Sequence, residues 1–196
     1  MKHGGFDTGV SETIVLFVIM QIPRLNGKRQ VMPIRTPEWD DNDGEKITMA
    51  ILLEKITADN FLDAFHLKLK REQKEFVSHP IRSLAQAYVY RDQCQPFGIY
   101  CDACMVGYVM VIYDDTTRQY AIWHMMIDRS QQGRGFGKAA LRLVLEYIKK
   151  KPFGDSDSVV LTCNKKNDHA LGLYRALGFV LTGNEDEDEV ELSLSI

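Results

Sequence analysis

An α/β or α+β fold, with strands in mixed order in one sheet and helices between them, is what this sequence predicts. Three observations carry that expectation. From Met49 onward, short β-branched apolar runs alternate with amphipathic helical stretches. The run Ser158 to Cys163 is apolar almost throughout, as a strand covered on both faces should be. The runs Phe97 to Cys101 and Val106 to Tyr113 lie close enough to form a hairpin through Asp102 to Met105.

The elements follow in order. Thr13 to Ile22 is the strand-like run of the first 47 residues, which otherwise mix glycine, proline and an acidic stretch from Glu38 to Glu45. Residues 1–47 therefore read as an extension and 48–196 as the domain, and translation starting at Met49 is compatible with this reading. Ala50 to Ile56 is a strand. Thr57 then caps a helix from Ala58 whose apolar face is Phe61, Leu62, Phe65 and Leu69. A second helical piece carries Phe76 and Val77, breaks near Pro80 and resumes from Ser83 to Ala87. After the hairpin, Asp114 to Thr117 turns the chain into the strand Gln119 to Ile127. Gly137 to Lys151 is a helix with Leu141, Val144, Leu145 and Ile148 on one face, ended by three lysines and Pro152. Asp168 to Leu177 is a short helix closed by Gly178, with Phe179 packing back. Val180 to Leu181 and Val190 to Ile196 form a closing hairpin around the acidic run Glu185 to Glu191.

Composition narrows the function. With 45% apolar and 26% charged residues among 196, the chain has the make-up of a soluble globular domain. A net charge of −3 gives no whole-chain basic field for nucleic acid. The longest apolar run, Ile14 to Met20, is far short of a membrane span and lacks a cleavage site, so a cytoplasmic protein is expected. Four cysteines make no disulfide framework. Cys101 and Cys104, with Cys94 and His124, lack the second ligand pair that zinc spacing requires, so no metal is expected.

One segment carries chemistry. Gln132-Gly133-Arg134-Gly135-Phe136-Gly137-Lys138 falls between a strand and a helix. Alternate glycines there free backbone N–H groups to converge on an anion, and Arg134 and Lys138 add positive charge. A phosphate or pyrophosphate is the natural ligand. The segment is neither the dinucleotide fingerprint, since Lys138 stands where a small residue is needed, nor a P-loop, since Ala139 follows Lys138. A second match lies downstream in Asn167-x-x-Ala170-x-x-Leu173-Tyr174-x-x-x-Gly178-Phe179.

Together these segments resemble the GNAT acetyltransferase superfamily, whose pyrophosphate loop reads Gln/Arg-x-x-Gly-x-Gly/Ala and is filled here by Gln132, Gly135 and Gly137. The layout is most similar to the bacterial spermine/spermidine and diamine acetyltransferases. The resemblance implies a splayed mixed sheet flanked by helices and acetyl-CoA as co-substrate. It also implies direct acetyl transfer to a primary amine of a small polyamine. Another amine (an amino acid, an aminoglycoside or a protein N-terminus) is the first rival reading, and a CoA-binding module without catalysis the second. By the same resemblance, the backbone from Gly133 through Phe136 to Lys138 takes the pyrophosphate. Met125 and Ile127 supply a strand edge and an oxyanion donor, and Asn167 holds the pantetheine arm. Tyr174 protonates the departing thiolate, the alternative being a core aromatic. The strand before the loop departs from the pattern, because Trp123 stands where a carboxylate is expected. His124 is then the nearest titratable base, although it reads equally as a packed histidine facing the other side. A water chain to a distant acid is at least as good an alternative. Glu75 and Glu189 are candidates to meet a cationic acceptor, although an acidic run is also an ordinary solvated turn. Cys163 as a nucleophile has no visible base. Family members commonly pair as homodimers, though no residue of this sequence points to it.

Overall fold

The computed structural model describes residues 32–33 and 50–196. The strand expected at Thr13 to Ile22 and most of the 1–47 extension lie outside the described residues. The strands are β1 (Met32–Pro33), β2 (Ile51–Lys55), β3 (Cys94–Cys101), β4 (Cys104–Asp114), β5 (Gln119–Ile127), β6 (Ser158–Asn164), β7 (Val180–Glu185) and β8 (Glu189–Ser195). They form one sheet in the order β1-β2-β3-β4-β5-β6-β8-β7. Neighbours pair antiparallel except β5 with β6, which is parallel because a helix crosses between them.

Two layers of helix cover the sheet. On one face lies α3 (Phe136–Ile148), whose Phe136, Leu141, Val144, Leu145 and Ile148 bury against Tyr120, Ile122, Val159 and Leu161. The three-and-four spacing of those residues produces this stripe, and each such side chain, when buried, contributes roughly 1.5–3 kcal/mol. On the other face, α1 (Phe61–His66) and α2 (Pro80–Val89) place Ala64, Leu67 and Ala87 against Tyr108, Met110 and Met126. The fourth helix, α4 (Asp168–Arg175), follows β6.

Three local expectations need correction. The first helix begins at Phe61, with Asn60 at its N-cap position, because Asn60 Oδ1 accepts from Thr57 N (2.8 Å) and closes a turn before the helix. Its buried residue is Ala64, and Leu62 points out at 52% exposure, so the apolar spacing misjudged the face. Phe76 and Val77 are not helical, and Pro80 starts α2 rather than breaking a helix. His79 caps it, Nδ1 accepting from Ile81 N at 3.2 Å, and proline suits the first turn because its missing N–H has no helical partner anyway.

The feature that positions the site is the joint between β5 and β6. They pair only at Tyr120↔Val159 and Ala121↔Val160. Beyond those two residues β5 stays on β4 through Ile127↔Gly107, while β6 stays on β8 through Asn164↔Glu189. The two strands therefore diverge, and the C-terminal half of β5 keeps one open edge.

Candidate active site

The open edge can be derived from its bonds. Asp128 N donates to Val106 O of β4 (2.8 Å), whereas Ile127 O turns away to accept from Gln132 Nε2 (3.0 Å). Backbone polarity alternates along a strand, so the N–H and C=O groups of Met125 and Ile127 face the gap.

A cavity of about 550 Å³ fills this gap, bounded by Met125 to Ile127, the loop before α3 and the start of α4. At one end stands the glycine loop. Gly133 (φ 80°) and Gly135 (φ 77°) are left-handed, a conformation that costs other residues roughly 1–2 kcal/mol. Gly135 is the N-cap of α3 and provides no side-chain cap, and the first intrahelical bond there is Ala139 N to Gly135 O (3.1 Å). The amides of Phe136, Gly137 and Lys138 thus have no helical acceptor and sit at the positive end of the helix dipole. Lys138 lines the same end, while Arg134 is exposed, held by Gln131 Oε1 (2.6 Å) and over the Phe136 ring at 4.8 Å. Gln132 is committed to the protein: besides Ile127 O, its Nε2 donates to Gln73 Oε1 (2.8 Å), pinning the loop to the segment before α2.

Tyr174 and Asn167 stand at the other end. Asn167 caps α4, Oδ1 accepting from Ala170 N (3.2 Å), which leaves its NH₂ donors toward the cavity it lines. Tyr174 packs edge-on against Phe179 at 5.9 Å. A phenol is protonated at neutral pH, and burial, with a smaller push from Cys163, raises this one further above the usual value.

Behind Tyr174 a smaller recess of about 60 Å³ continues between β5 and β6, lined among others by Trp123, His124, Cys163, Asn164 and Glu189. Phe76, Val77, Met125, Asn167, Ala170 and Tyr174 line both spaces and form their shared wall. A bulge in β5 shapes the recess: Val111 pairs with Ile122 and Met110 with His124, so Trp123 is the extra residue. His124 stacks on Trp123 (5.2 Å, 21°), and its Nε2 lies 3.0 Å from Gln86 Oε1 of α2. Burial, helped by Arg82, lowers its pKa to about 4, which makes the imidazole neutral and a poor proton acceptor. Cys163 is pushed up to about 11 by burial and then by Glu189, so it is an unreactive thiol. Glu189 is half-buried and fixed by the acidic turn: its N donates to Asp186 Oδ1 (2.7 Å) and its O accepts from Asp186 N (3.0 Å). Glu75 is exposed and lines neither space.

Residues 57–179 match the family model described as "Acetyltransferase (GNAT) family". The chain belongs to the GNAT acetyltransferase family. This acetyltransferase is 24% identical over 147 residues to the spermine/spermidine N(1)-acetyltransferase of Bacillus subtilis (strain 168), covering 70% of this chain and 93% of that protein. A solved spermidine N-acetyltransferase from Vibrio cholerae, in complex with CoA and spermine, aligns with a TM-score of 0.61 at 17% identity over 74% of this chain and 95% of that one. A Salmonella typhimurium acetyltransferase that modifies the N-terminal serine of a 50S ribosomal subunit protein aligns with a TM-score of 0.60 at 16% identity, covering 74% and 95%. At these identities the solved structures share the fold: a mixed sheet with flanking helices.

Several residues lining the candidate site were not anticipated from the sequence. Gln73, Phe76 and Val77 line it from a stretch that reads as a helix, although two apolar residues set in a polar run were the available clue. Thr162 and Asn164 reach the recess only because β6 splays. Among the described residues no cluster of His, Cys, Asp or Glu is placed to hold a metal, and no helix is long and apolar enough to cross a membrane.

Proposed function

We propose that this N-acetyltransferase moves acetyl from acetyl-CoA to a primary amine of a small polyamine by direct attack in a ternary complex. The observation that carries this reading is the shared wall: Tyr174 borders both the long cavity leading from the glycine loop and the recess holding Glu189. The first-turn amides of α3 and Lys138 bind pyrophosphate, while the open edge at Met125 and Ile127 and the Asn167 amide hold the pantetheine arm. A backbone N–H on that edge donates to the oxyanion as the amine nitrogen adds to the acetyl carbon. The C–N bond forms, the C–S bond breaks, and Tyr174 Oη gives its proton to the leaving sulfur before regaining one from solvent. The acceptor ammonium is held by the Glu189 carboxylate and loses its proton through water in the recess. The weakly basic His124 serves instead to position the Trp123 ring. Glu75 has no part in this reading. The bacterial polyamine acetyltransferases among the relatives support the acceptor class.

Turnover of acetyl-CoA with a panel of amines, followed by thiol release, tests it. Polyamines should be the best acceptors. Preference for a peptide N-terminus or an aminoglycoside would replace the acceptor, and turnover with none would leave a CoA-binding module. Two variants separate the halves of the site. Gly135→Val forces a β-branched residue to φ 77° and puts its side chain against the pyrophosphate. Calorimetric affinity for acetyl-CoA should fall about tenfold or more, since each 1.4 kcal/mol is tenfold, and unchanged affinity would remove the loop from the donor site. Glu189→Gln deletes the charge with little change in volume. The KM for the polyamine should rise roughly tenfold while that for acetyl-CoA stays put, the scale of one charge-assisted hydrogen bond. Equal amine KM values in both proteins would take Glu189 out of the acceptor site.

A further inference from the structure

The Cys101-Asp-Ala-Cys104 segment lines neither cavity of the candidate site, yet the fold arranges it in a specific way. Cys101 ends β3 and Cys104 begins β4, and the two are direct cross-strand partners (Cys101↔Cys104). Only Asp102, at φ 52°, and Ala103 separate them, and Asp102 N is tied to Ala50 O (3.3 Å). Directly opposed residues share one face of a sheet, with Cα atoms about 4.5–5.5 Å apart, inside the roughly 4.4–6.8 Å that a disulfide spans. All four cysteines are thiols in the structure, but their access differs: Cys104 is exposed, whereas Cys94, Cys101 and Cys163 are buried.

We propose that Cys101 and Cys104 are a reversible disulfide pair, a redox modification site closing the β3–β4 turn, oxidised by low-molecular-weight disulfides of the glutathione class. The exposed Cys104 thiolate attacks a sulfur of the small disulfide, forming a mixed disulfide and releasing one thiol. Cys101 Sγ then attacks Cys104 Sγ, forming the protein disulfide and expelling the second thiol. Two protein thiols are oxidised and one small disulfide is reduced to two thiols, with no further reagent. Cys104 is exposed and Cys101 buried, so Cys104 is the attacking and Cys101 the resolving sulfur. The closed loop is very short, and loop-closure entropy grows with loop length, so the bridge adds little stability and yields to ordinary reductants. That is the behaviour of a reversible site rather than of a structural staple.

The full chain, incubated in glutathione buffers of stepped oxidation, trapped with a maleimide and weighed intact, tests this. The expected product lacks two hydrogens, has two of its four thiols blocked within the peptide containing residues 101–104, and reverts with dithiothreitol. Cys104→Ser should abolish it, while Cys94→Ser and Cys163→Ser should each leave it intact. A glutathione adduct at Cys104 that never resolves would overturn the proposal. So would a Cys104 bridge between two chains, or a bond through Cys94 or Cys163.

Discussion

Tyr174→Phe should lower turnover on the order of a hundredfold or more while leaving acetyl-CoA affinity nearly unchanged. Phenylalanine keeps the ring and its edge-on contact with Phe179 at 5.9 Å, and removes only the hydroxyl. That hydroxyl is protonated at neutral pH, as any phenol is, and burial, seconded by Cys163, raises its pKa further. It therefore has a proton to give to the thiolate that departs beside it. An interaction made only in the transition state lowers kcat and kcat/KM together. A purely packing role predicts the reverse: a shifted melting midpoint with normal kinetics. Steady-state kinetics and a thermal melt of the same preparation decide between them, and near-normal turnover returns Tyr174 to the core.

Gly107→Ala is the second large effect, and it acts on the sheet. Gly107 pairs with Ile99 on one side and Ile127 on the other. A Cβ there would meet Met126 O at 2.5 Å, Ile127 Cδ1 at 2.8 Å and Ile99 Cδ1 at 3.1 Å. Both isoleucine methyls can rotate aside. The Met126 carbonyl is backbone, so β4 and β5 must part at the very residues that form the open edge. Overpacking of this kind costs on the order of 1–3 kcal/mol, and in a chain of this length each kcal/mol moves the melting midpoint by about 2–4 °C. Gly107→Ala should therefore melt several degrees lower and bind acetyl-CoA more weakly. Gly172→Ala is the control: it lies in α4 with nothing within 4 Å of its Cβ, so its melting midpoint should hold or rise. Matching midpoints for wild type and Gly107→Ala would show that the strands yield without cost.

Elements with a strong period were legible in the sequence. The α3 stripe, the apolar β6 and the β3–β4 hairpin all stand where local pattern puts them, with ends shifted by a few residues. The segment between α1 and α2 was not legible, because Phe76 and Val77 line the cavity, Val77 while also packing on the core beneath α1 and α2. An apolar residue that lines a ligand site looks like a core residue until its surroundings are known. The acid terms were legible as types but not as places: Glu189 reaches the recess through the turn bonds to Asp186, while Glu75, equally acidic, is exposed.

By itself the sequence determined the alternation of strands and helices, the glycine loop that frees amides for an anion, and the Asn167-to-Phe179 segment that goes with it. Those features are local: spacing, a left-handed backbone and a helix start depend on residues a few positions apart. The tertiary structure alone decided that β5 and β6 part after two residue pairs, opening an edge at Met125 and Ile127. It also placed Tyr174 on the wall between two cavities, and half-buried His124 near Arg82, so that desolvation and that charge lower its basicity. Strand divergence, cavity walls and desolvation arise from groups distant in sequence and close in space, and no local pattern encodes them.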